Sequence, residues 1–215
     1  MSDSAKTSAS SAVTPTAELV FATLGPSGSN HQFVTERYIA LHSLPARVEL
    51  VLDFDIALDL LLARRVDHIV QVAVHPATAS TTARHYKRVF VIDAFVSSSR
   101  PLGVISRKDV ARPRSLGLQP ATREYVDTSH WDEFVSETSI ASVAAGLLDG
   151  RFDSGIAALE LAEQYPDLLR VDKEIGAIDD AWLVYGVEPV TNGGIVAWLN
   201  SPAAALFRRE LEAKR

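Results

Sequence analysis

The chain has 215 residues, of which 47% are hydrophobic and 22% charged, with a formal net charge of −6 and no cysteine. This length and composition are typical of a globular protein that buries a sizeable core, as one large domain or two smaller lobes. A sequence without cysteine excludes disulfides, thiolate catalysis and cysteine-based zinc sites. The negative charge argues against general nucleic-acid binding.

The first 17 residues are mostly serine, alanine and threonine. They lack the apolar stretch of a secretory signal, so we expect a disordered tail over residues 1–17 and a cytoplasmic protein. No apolar run approaches the roughly 20 residues that a membrane span requires, so no membrane partner is expected.

From residue 18 onward, short apolar runs alternate with helical patterns, which is typical of α/β proteins. The strands of the first half are predicted at 19–23, 47–51, 68–74 and 89–95, and the helices at 30–41, at 53–64 and after Pro76. Asp53 or Asp55 is expected to cap the second helix.

The pattern breaks at residues 97–101, Ser-Ser-Ser-Arg-Pro, where we place a crossing into a second lobe. Further strands are then predicted at 102–105, 115–118, 134–135, 153–157 and 168–171. Further helices are predicted from Pro120 onward, over 138–148 with a glycine cap at Gly150, and over 158–164.

The last segment is predicted to return to the first lobe. Residues 182–187 and 195–199 flank a Thr-Asn-Gly-Gly turn, which is typical of a β-hairpin. Ser201 and Pro202 are expected to open a final helix that closes with Lys214 and Arg215. The predicted division is a first lobe of residues 18–98 plus 175–215, with a second lobe of residues 99–174 inserted into it.

A turn rich in small polar residues precedes the first helix. Residues 24–31 read Leu-Gly-Pro-Ser-Gly-Ser-Asn-His. A helix start carries free backbone N–H groups and a partial positive charge, so it is a candidate anion site. The candidate donors are Ser27, Gly28, Ser29 and Asn30. The alternative is an ordinary turn in which these residues only cap the helix.

Four segments share motifs with one enzyme family. They are residues 23–29 (Thr-Leu-Gly-Pro-Ser-Gly-Ser), 72–76 (Val-Ala-Val-His-Pro), 136–142 (Ser-Glu-Thr-Ser-Ile-Ala-Ser) and 150–157 (Gly-Arg-Phe-Asp-Ser-Gly-Ile-Ala). These segments resemble the catalytic domain of prephenate dehydratases and of the related prephenate decarboxylases of the bacilysin pathway. The resemblance implies a two-lobed α/β fold of the type II periplasmic-binding-protein class, with mixed sheets, flanking helices and a ligand between the lobes.

One segment departs from the dehydratase pattern. Dehydratases carry a late Thr-Arg-Phe motif, whose Thr is taken to assist departure of the ring hydroxyl, and the matching residues here are Asp180, Ala181 and Trp182. The decarboxylase branch also lacks this motif, has a Trp at this point and ends without the regulatory ACT domain, which we do not expect here either.

The resemblance to that branch therefore implies cofactor-free, non-oxidative decarboxylation of prephenate or a similar small cyclic acid. The ring would be protonated and would not become aromatic. Two alternatives remain open: a prephenate dehydratase with altered catalytic residues, and a non-catalytic protein that binds or senses a small acid.

Binding such a substrate requires donors for its side-chain carboxylate. We expect the first helix start to face Thr138 and Ser139, at a helix start of the second lobe, across the cleft. Thr122 and Trp182 are expected to make further substrate contacts. The alternative for Thr138 and Ser139 is that they are plain helix caps.

The reaction also requires a placed proton donor. His75 is the first candidate, because it follows an apolar strand at the end where ligands collect in α/β sheets and because imidazole can be charged near neutrality. His31 is the second candidate, and a surface or capping role for His75 is the alternative. No spacing of histidines supports a metal site. The expected partner is a small anionic cyclic substrate, without nucleic acid, and the sequence is compatible with a homodimer.

Overall fold

A computed structural model of the protein describes residues 18–199 and 201–214, so the predicted tail and the terminal Arg215 lie outside the described residues. The first seven elements are β1 (Leu19–Leu24), α1 (Asn30–Leu41), β2 (Ala46–Val51), α2 (Phe54–Leu62), β3 (His68–Val72), α3 (Thr78–Arg84) and β4 (Phe90–Ser98). The next are β5 (Leu102–Arg107), β6 (Ser115–Leu118), a 3₁₀ helix (Pro120–Tyr125), β7 (Glu133–Ser136), α4 (Ile140–Leu148), β8 (Ser154–Ala158), α5 (Glu160–Gln164) and β9 (Leu169–Gly176). The last are β10 (Asp179–Gly186) and α6 (Pro202–Ala213).

The strands form two five-stranded mixed sheets. The first has the order β2-β1-β3-β10-β4, with β1 parallel to β2 and β3, and β10 antiparallel to β3 and β4. The second has the order β7-β6-β8-β5-β9, with β6 parallel to β7 and β8, and β5 antiparallel to β8 and β9. The predicted α/β class with mixed sheets and flanking helices is confirmed, while the exact lobe limits stay a prediction.

Both faces of the first sheet carry apolar cores. Phe54 and Leu61 of α2 are buried on one face, and Val34 of α1 packs with Trp182 of β10 on the other. Burying one such side chain contributes about 1.5–3 kcal/mol, so these contacts fix the helices on the sheet. The starts of α1 and α2 are thereby held at the edge where β1 and β3 end.

Three helices begin at the polar residues that the sequence indicates. The side chains of Ser29, Asp53 and Ser139 accept hydrogen bonds from the backbone amides of the third residue beyond them, at the starts of α1, α2 and α4. Helix α4 ends before Gly150, whose φ of +71° is the left-handed conformation that glycine adopts without strain.

Two connections join the sheets, one between β4 and β5 and the other between β9 and β10. They lie side by side. The Ser99 amide donates to the Ile178 carbonyl (2.8 Å), and the Ile178 amide donates to the Ser99 hydroxyl (3.0 Å). The two crossings therefore form one hydrogen-bonded hinge.

The predicted hairpin after β10 is wrong. Residues 195–199 form no strand, and Ile195 and Leu199 are 96% and 81% exposed. The physical reason is the sheet order: β10 lies between β3 and β4, so neither of its edges is free to pair with a following strand. The chain instead runs on to α6, which begins after Ser201 as predicted.

Smaller differences lie at element ends. Strand β3 ends at Val72, so His75 lies in the turn before α3, and the helix predicted from Pro120 is a 3₁₀ helix. No helix within residues 18–199 and 201–214 is long and apolar enough to cross a membrane.

Candidate functional site

A cleft with a cavity volume of about 80 Å³, open in part to solvent, lies between the two lobes. Its floor and walls come from the carboxyl ends of β1 and β3, from β10, and from the segments that follow β6 and β7, which is where ligands bind in α/β proteins. The polar side chains that line it are Ser29, Asn30, His31, His75, Ser99, Gln119, Thr122, Tyr125, Thr138, Ser139, Asp180 and Trp182.

The structure brings eight of the ten predicted site residues to this cleft. They are His31, His75, Ser29, Asn30, Thr122, Thr138, Ser139 and Trp182. Ser27 and Gly28 are not among the lining residues: both are exposed, and the Gly28 amide donates to the side chain of Gln32 (2.8 Å). That amide is therefore already occupied within its own turn. The functional roles of all ten stay predictions.

The start of α1 presents backbone donors rather than free side chains. The Ser29 hydroxyl donates to the Leu24 carbonyl (2.7 Å) and accepts from the Gln32 amide (3.2 Å), so it acts as a cap. The Asn30 side chain accepts from the Arg100 amide (3.2 Å) and ties α1 to the first crossing. The backbone amides of Asn30 and His31 make no hydrogen bond within the described residues.

The start of α4 has the same arrangement on the opposite lobe. The Ser139 hydroxyl accepts from the Ser142 amide (3.0 Å), and the hydroxyls of Thr138 and Ser142 lie 3.2 Å apart. Within the described residues the backbone amides of Ile140 and Ala141 have no partner. Two helix N-termini from different lobes thus open on one cleft, and each can bind an anion through its amides and its dipole.

Thr122 contributes little free polar surface to the cleft. It is 5% exposed, and its hydroxyl donates to the Gln119 carbonyl within its own turn (2.8 Å). Its methyl group and backbone therefore remain as the parts available to a ligand.

Three aromatic rings form one side of the cleft. The His31 ring centroid lies 5.2 Å from that of Trp182 and 6.1 Å from that of His75. The side chain of Trp182 is fully buried, and neither its Nε1 nor the Nε2 of His31 has a hydrogen-bond partner within the described residues. A buried polar group without a partner is costly, so both nitrogens are candidates for a hydrogen bond to a water or to a ligand.

Burial determines the charge of the two histidines. Burial, followed by the proximity of His75, lowers the pKa of His31 to about 3. Burial also lowers the pKa of His75 below its usual value. The His75 Nδ1 accepts from the Ala77 amide (3.1 Å), so the neutral ring carries its proton on Nε2. The expectation that His75 is charged near neutrality is therefore not supported.

Sequence reasoning missed Asp180 as a cleft residue. Its side chain lines the cleft, and burial, followed by the negative charge of Asp179, raises its pKa. The period of two along a strand was the available signal, because Asp180 and Trp182 lie on the same face of β10. Gln119 and Tyr125 were also missed, although Thr122 of the same 3₁₀ helix was predicted to contact the substrate.

The lining residues include no lysine and no arginine. Within residues 18–199 and 201–214, no group of three or more His, Asp or Glu side chains is arranged to hold a metal ion. A ligand anion would therefore be held by neutral hydrogen-bond donors and helix dipoles.

No family model matches the sequence, and no curated protein matches it. Among solved structures, the chain is similar to prephenate dehydratase from Arthrobacter aurescens in complex with L-Phe, with 20% identity and a TM-score of 0.59 over 82% of this chain and 62% of that one. It is also similar to GqqA, described as a novel type of quorum-quenching acylase, with 12% identity and a TM-score of 0.52 over 80% and 65% of the two chains. A third similarity is to the periplasmic VFT2 domain of BvgS from Bordetella pertussis, with 10% identity and a TM-score of 0.49 over 79% and 80%.

The first two similarities confirm the predicted fold. The protein has the two-lobed, periplasmic-binding-protein-like α/β fold. More particularly, it has the arrangement found in prephenate dehydratase, of which the chain spans 62%. At such identities the likeness concerns the fold alone, and function must be argued from the site.

Proposed function

We propose that the interlobe cleft binds prephenate or a similar small cyclic carboxylic acid and decarboxylates it without making the ring aromatic. The observation that carries the proposal is the pair of helix N-termini, α1 and α4, that open on the cleft from opposite lobes with unpartnered amides. One carboxylate of the substrate lies between these amides. The buried Nε1 of Trp182 supplies a further donor.

The apolar part of the cleft favours loss of carbon dioxide. Leu24, Val72, Leu102 and Ile178 line it, and no cationic side chain does. A carboxylate placed against such a surface loses hydration and gains no counter-ion, whereas the carbon dioxide that leaves is neutral. The cleft thus destabilises the localised charge of the carboxylate more than the transition state, in which that charge spreads over the ring.

The neutral histidines favour retention of the ring hydroxyl. A dehydratase must help hydroxide to leave, which requires an acid near that hydroxyl. Neutral His31 and His75 are weak acids, so they orient the ring through hydrogen bonds without protonating its hydroxyl. In this proposal the other predicted contacts, Thr122, Thr138 and Ser139, shape the pocket from the second lobe.

The test is incubation of the full chain with prephenate, followed by ultraviolet absorbance and mass spectrometry, with a protein-free sample to measure the spontaneous rate. We expect a product that has lost carbon dioxide alone. Phenylpyruvate formed above the spontaneous rate would instead make the protein a dehydratase. Unchanged prephenate that nevertheless binds would favour the non-catalytic alternative.

A matched pair of variants shows whether any activity belongs to the cleft. Trp182 and Trp131 are both buried, and both have an Nε1 without a partner within the described residues, but only Trp182 lines the cleft. Activity should fall in Trp182→Phe and stay unchanged in Trp131→Phe. The cytoplasmic location and a homodimeric assembly stay predictions.

A further inference from the structure

Asp180 is placed in the cleft by the register of β10. It lies two residues before Trp182, so both side chains are on the same face of the strand. Asp179 lies on the other face, where its carboxylate accepts a hydrogen bond from the Ser98 hydroxyl. The Asp179 carboxylate is therefore hydrogen-bonded to the neighbouring strand, whereas the Asp180 carboxyl lines the cleft.

The Asp180 carboxyl makes no hydrogen bond and no ion pair within the described residues, although it is half-buried. Tyr125 approaches it from the second lobe: burial raises the pKa of the Tyr125 hydroxyl, and the charge of Asp180 raises it further. Ser97 of β4 is the strand-pairing partner of Asp180. The nearby Arg37 donates to the Ser97 hydroxyl and to the Ser98 carbonyl (3.2 Å each), and it makes no hydrogen bond to Asp180. The other titratable side chains that line the cleft with Asp180 are those of His31 and His75, which are neutral.

These surroundings favour the protonated carboxyl. Burial penalises the carboxylate, Asp179 repels it, and no cation compensates it, so the pKa of Asp180 is raised. A bound substrate that carries two carboxylates would repel the Asp180 carboxylate further. Binding of such a dianion should therefore drive uptake of a proton onto this side chain.

We propose that Asp180 is the proton donor of the reaction, an inference that rests on the proposed function. The carbon–carbon bond to the ring carboxylate breaks, and its electron pair forms a new double bond within the ring. The electrons of the adjacent ring double bond take the proton from the Asp180 carboxyl at its far carbon. Carbon dioxide leaves, the hydroxyl stays, and the Asp180 carboxylate is reprotonated from water.

This assignment replaces the predicted role of the histidines as acids. A neutral imidazole N–H is a far weaker acid than a carboxyl, and the pKa of both cleft histidines is lowered by burial. Asp180 is the acidic side chain among the lining residues. A non-aromatising decarboxylase requires an acid that delivers its proton to the ring carbon rather than to the ring hydroxyl.

The test compares the wild type with Asp180→Asn in calorimetric titrations with prephenate, in buffers of different ionisation enthalpy at neutral pH. The wild type should take up a proton on binding, whereas Asp180→Asn should take up none and bind at least as tightly. Turnover by Asp180→Asn should fall about 100-fold or more, because general acid catalysis contributes about 10²–10⁴-fold. Asp180→Glu should restore part of it.

Asp179→Asn is the matched control, since it removes an equal charge from the neighbouring residue on the opposite face. Its turnover at low pH should stay within about twofold of the wild type. Because loss of the Asp179 charge lowers the pKa of Asp180, the fall in activity with rising pH should begin at lower pH in this variant.

The outcomes separate the two proposals. A wild type that binds prephenate and leaves it unchanged overturns the decarboxylase proposal and this inference together. A wild type that decarboxylates prephenate while Asp180→Asn turns over within about threefold of it overturns the role of Asp180 alone. So does identical proton uptake by both proteins.

Discussion

The rings of His31 and Trp182 meet edge to face, with centroids 5.2 Å apart and planes at 77°. One ring comes from the first turn of α1 and the other from β10, so the pair joins a helix start to the middle of the sheet. Each ring has a buried nitrogen without a partner within the described residues, and both line the cleft. A ligand oxygen between the rings would satisfy polar atoms that otherwise destabilise the fold.

The first prediction concerns the indole N–H. Trp182→Phe keeps an aromatic ring in the core and removes Nε1, so prephenate affinity should fall about fivefold, as expected for one hydrogen bond of about 1 kcal/mol. Isothermal titration calorimetry measures the affinity, and thermal unfolding shows whether the ring still packs.

Trp131→Phe is the control for this substitution. Trp131 is 8% exposed and packs in the core of the second lobe, away from the interlobe cleft. It should leave prephenate affinity unchanged. Equal losses of affinity in both variants would show that Trp182 acts through stability rather than through the ligand.

The second prediction concerns His75. His75→Ala should lower turnover about tenfold or more and weaken prephenate binding much less, because an oriented donor matters most as charge moves in the transition state. Steady-state kinetics and calorimetry measure the two quantities separately. His130→Ala, in which the lost ring packs on Trp131 outside the cleft, is the control. Equal loss of turnover and binding in His75→Ala would contradict the assigned role.

Local chemistry made several parts of the fold predictable. The predicted bounds of α1 match the structure, because Ser29 combines a cap with a helical apolar pattern behind it. Asp53 and Ser139 gave similar signals at the starts of α2 and α4. Capping is decided by neighbouring residues, so it can be read from a short segment without knowing the rest of the fold.

Contacts between distant segments were not predictable in this way. The insertion of β10 between β3 and β4 decides that no hairpin follows it, and no local pattern announces that insertion. The position of Asp180 in the cleft was missed for the same reason. The predicted strand began at Trp182 and did not include Asp180, whereas β10 begins at Asp179 and carries Asp180 into the cleft.

The third prediction concerns the hinge. Ser99 is 6% exposed, and its hydroxyl accepts the Ile178 amide of the second crossing. Ser99→Ala leaves that amide without its partner, so the free energy of unfolding should fall by about 1–3 kcal/mol, as measured by urea denaturation. Ser98→Ala, which removes a hydroxyl bound to the exposed Asp179, should cost about 0.5 kcal/mol or less. A Ser99→Ala variant as stable as Ser98→Ala would show that the hinge does not depend on this bond.

The fourth prediction concerns stability in acid. In the native protein burial lowers the pKa of His31 to about 3 from the usual value of 6.5. Above pH 6.5 the ring is neutral in both the native and the unfolded protein, so its titration does not change the free energy of unfolding. As the pH falls below 6.5, the unfolded chain binds a proton that the native protein does not, so the free energy of unfolding decreases with falling pH until about 3.

His31→Gln removes this titration while keeping a polar side chain at the site. Between pH 7 and pH 5 the wild type should lose about 1–2 kcal/mol more stability than the variant, since each pH unit between the two pKa values contributes about 1.4 kcal/mol. Urea denaturation of both proteins at the two pH values gives the difference, and the other titrating groups cancel because both proteins share them. Equal losses would mean that the ring is reached by water and protonated in the native state. The unpartnered nitrogen beside Trp182 would then be satisfied by solvent rather than kept for a ligand.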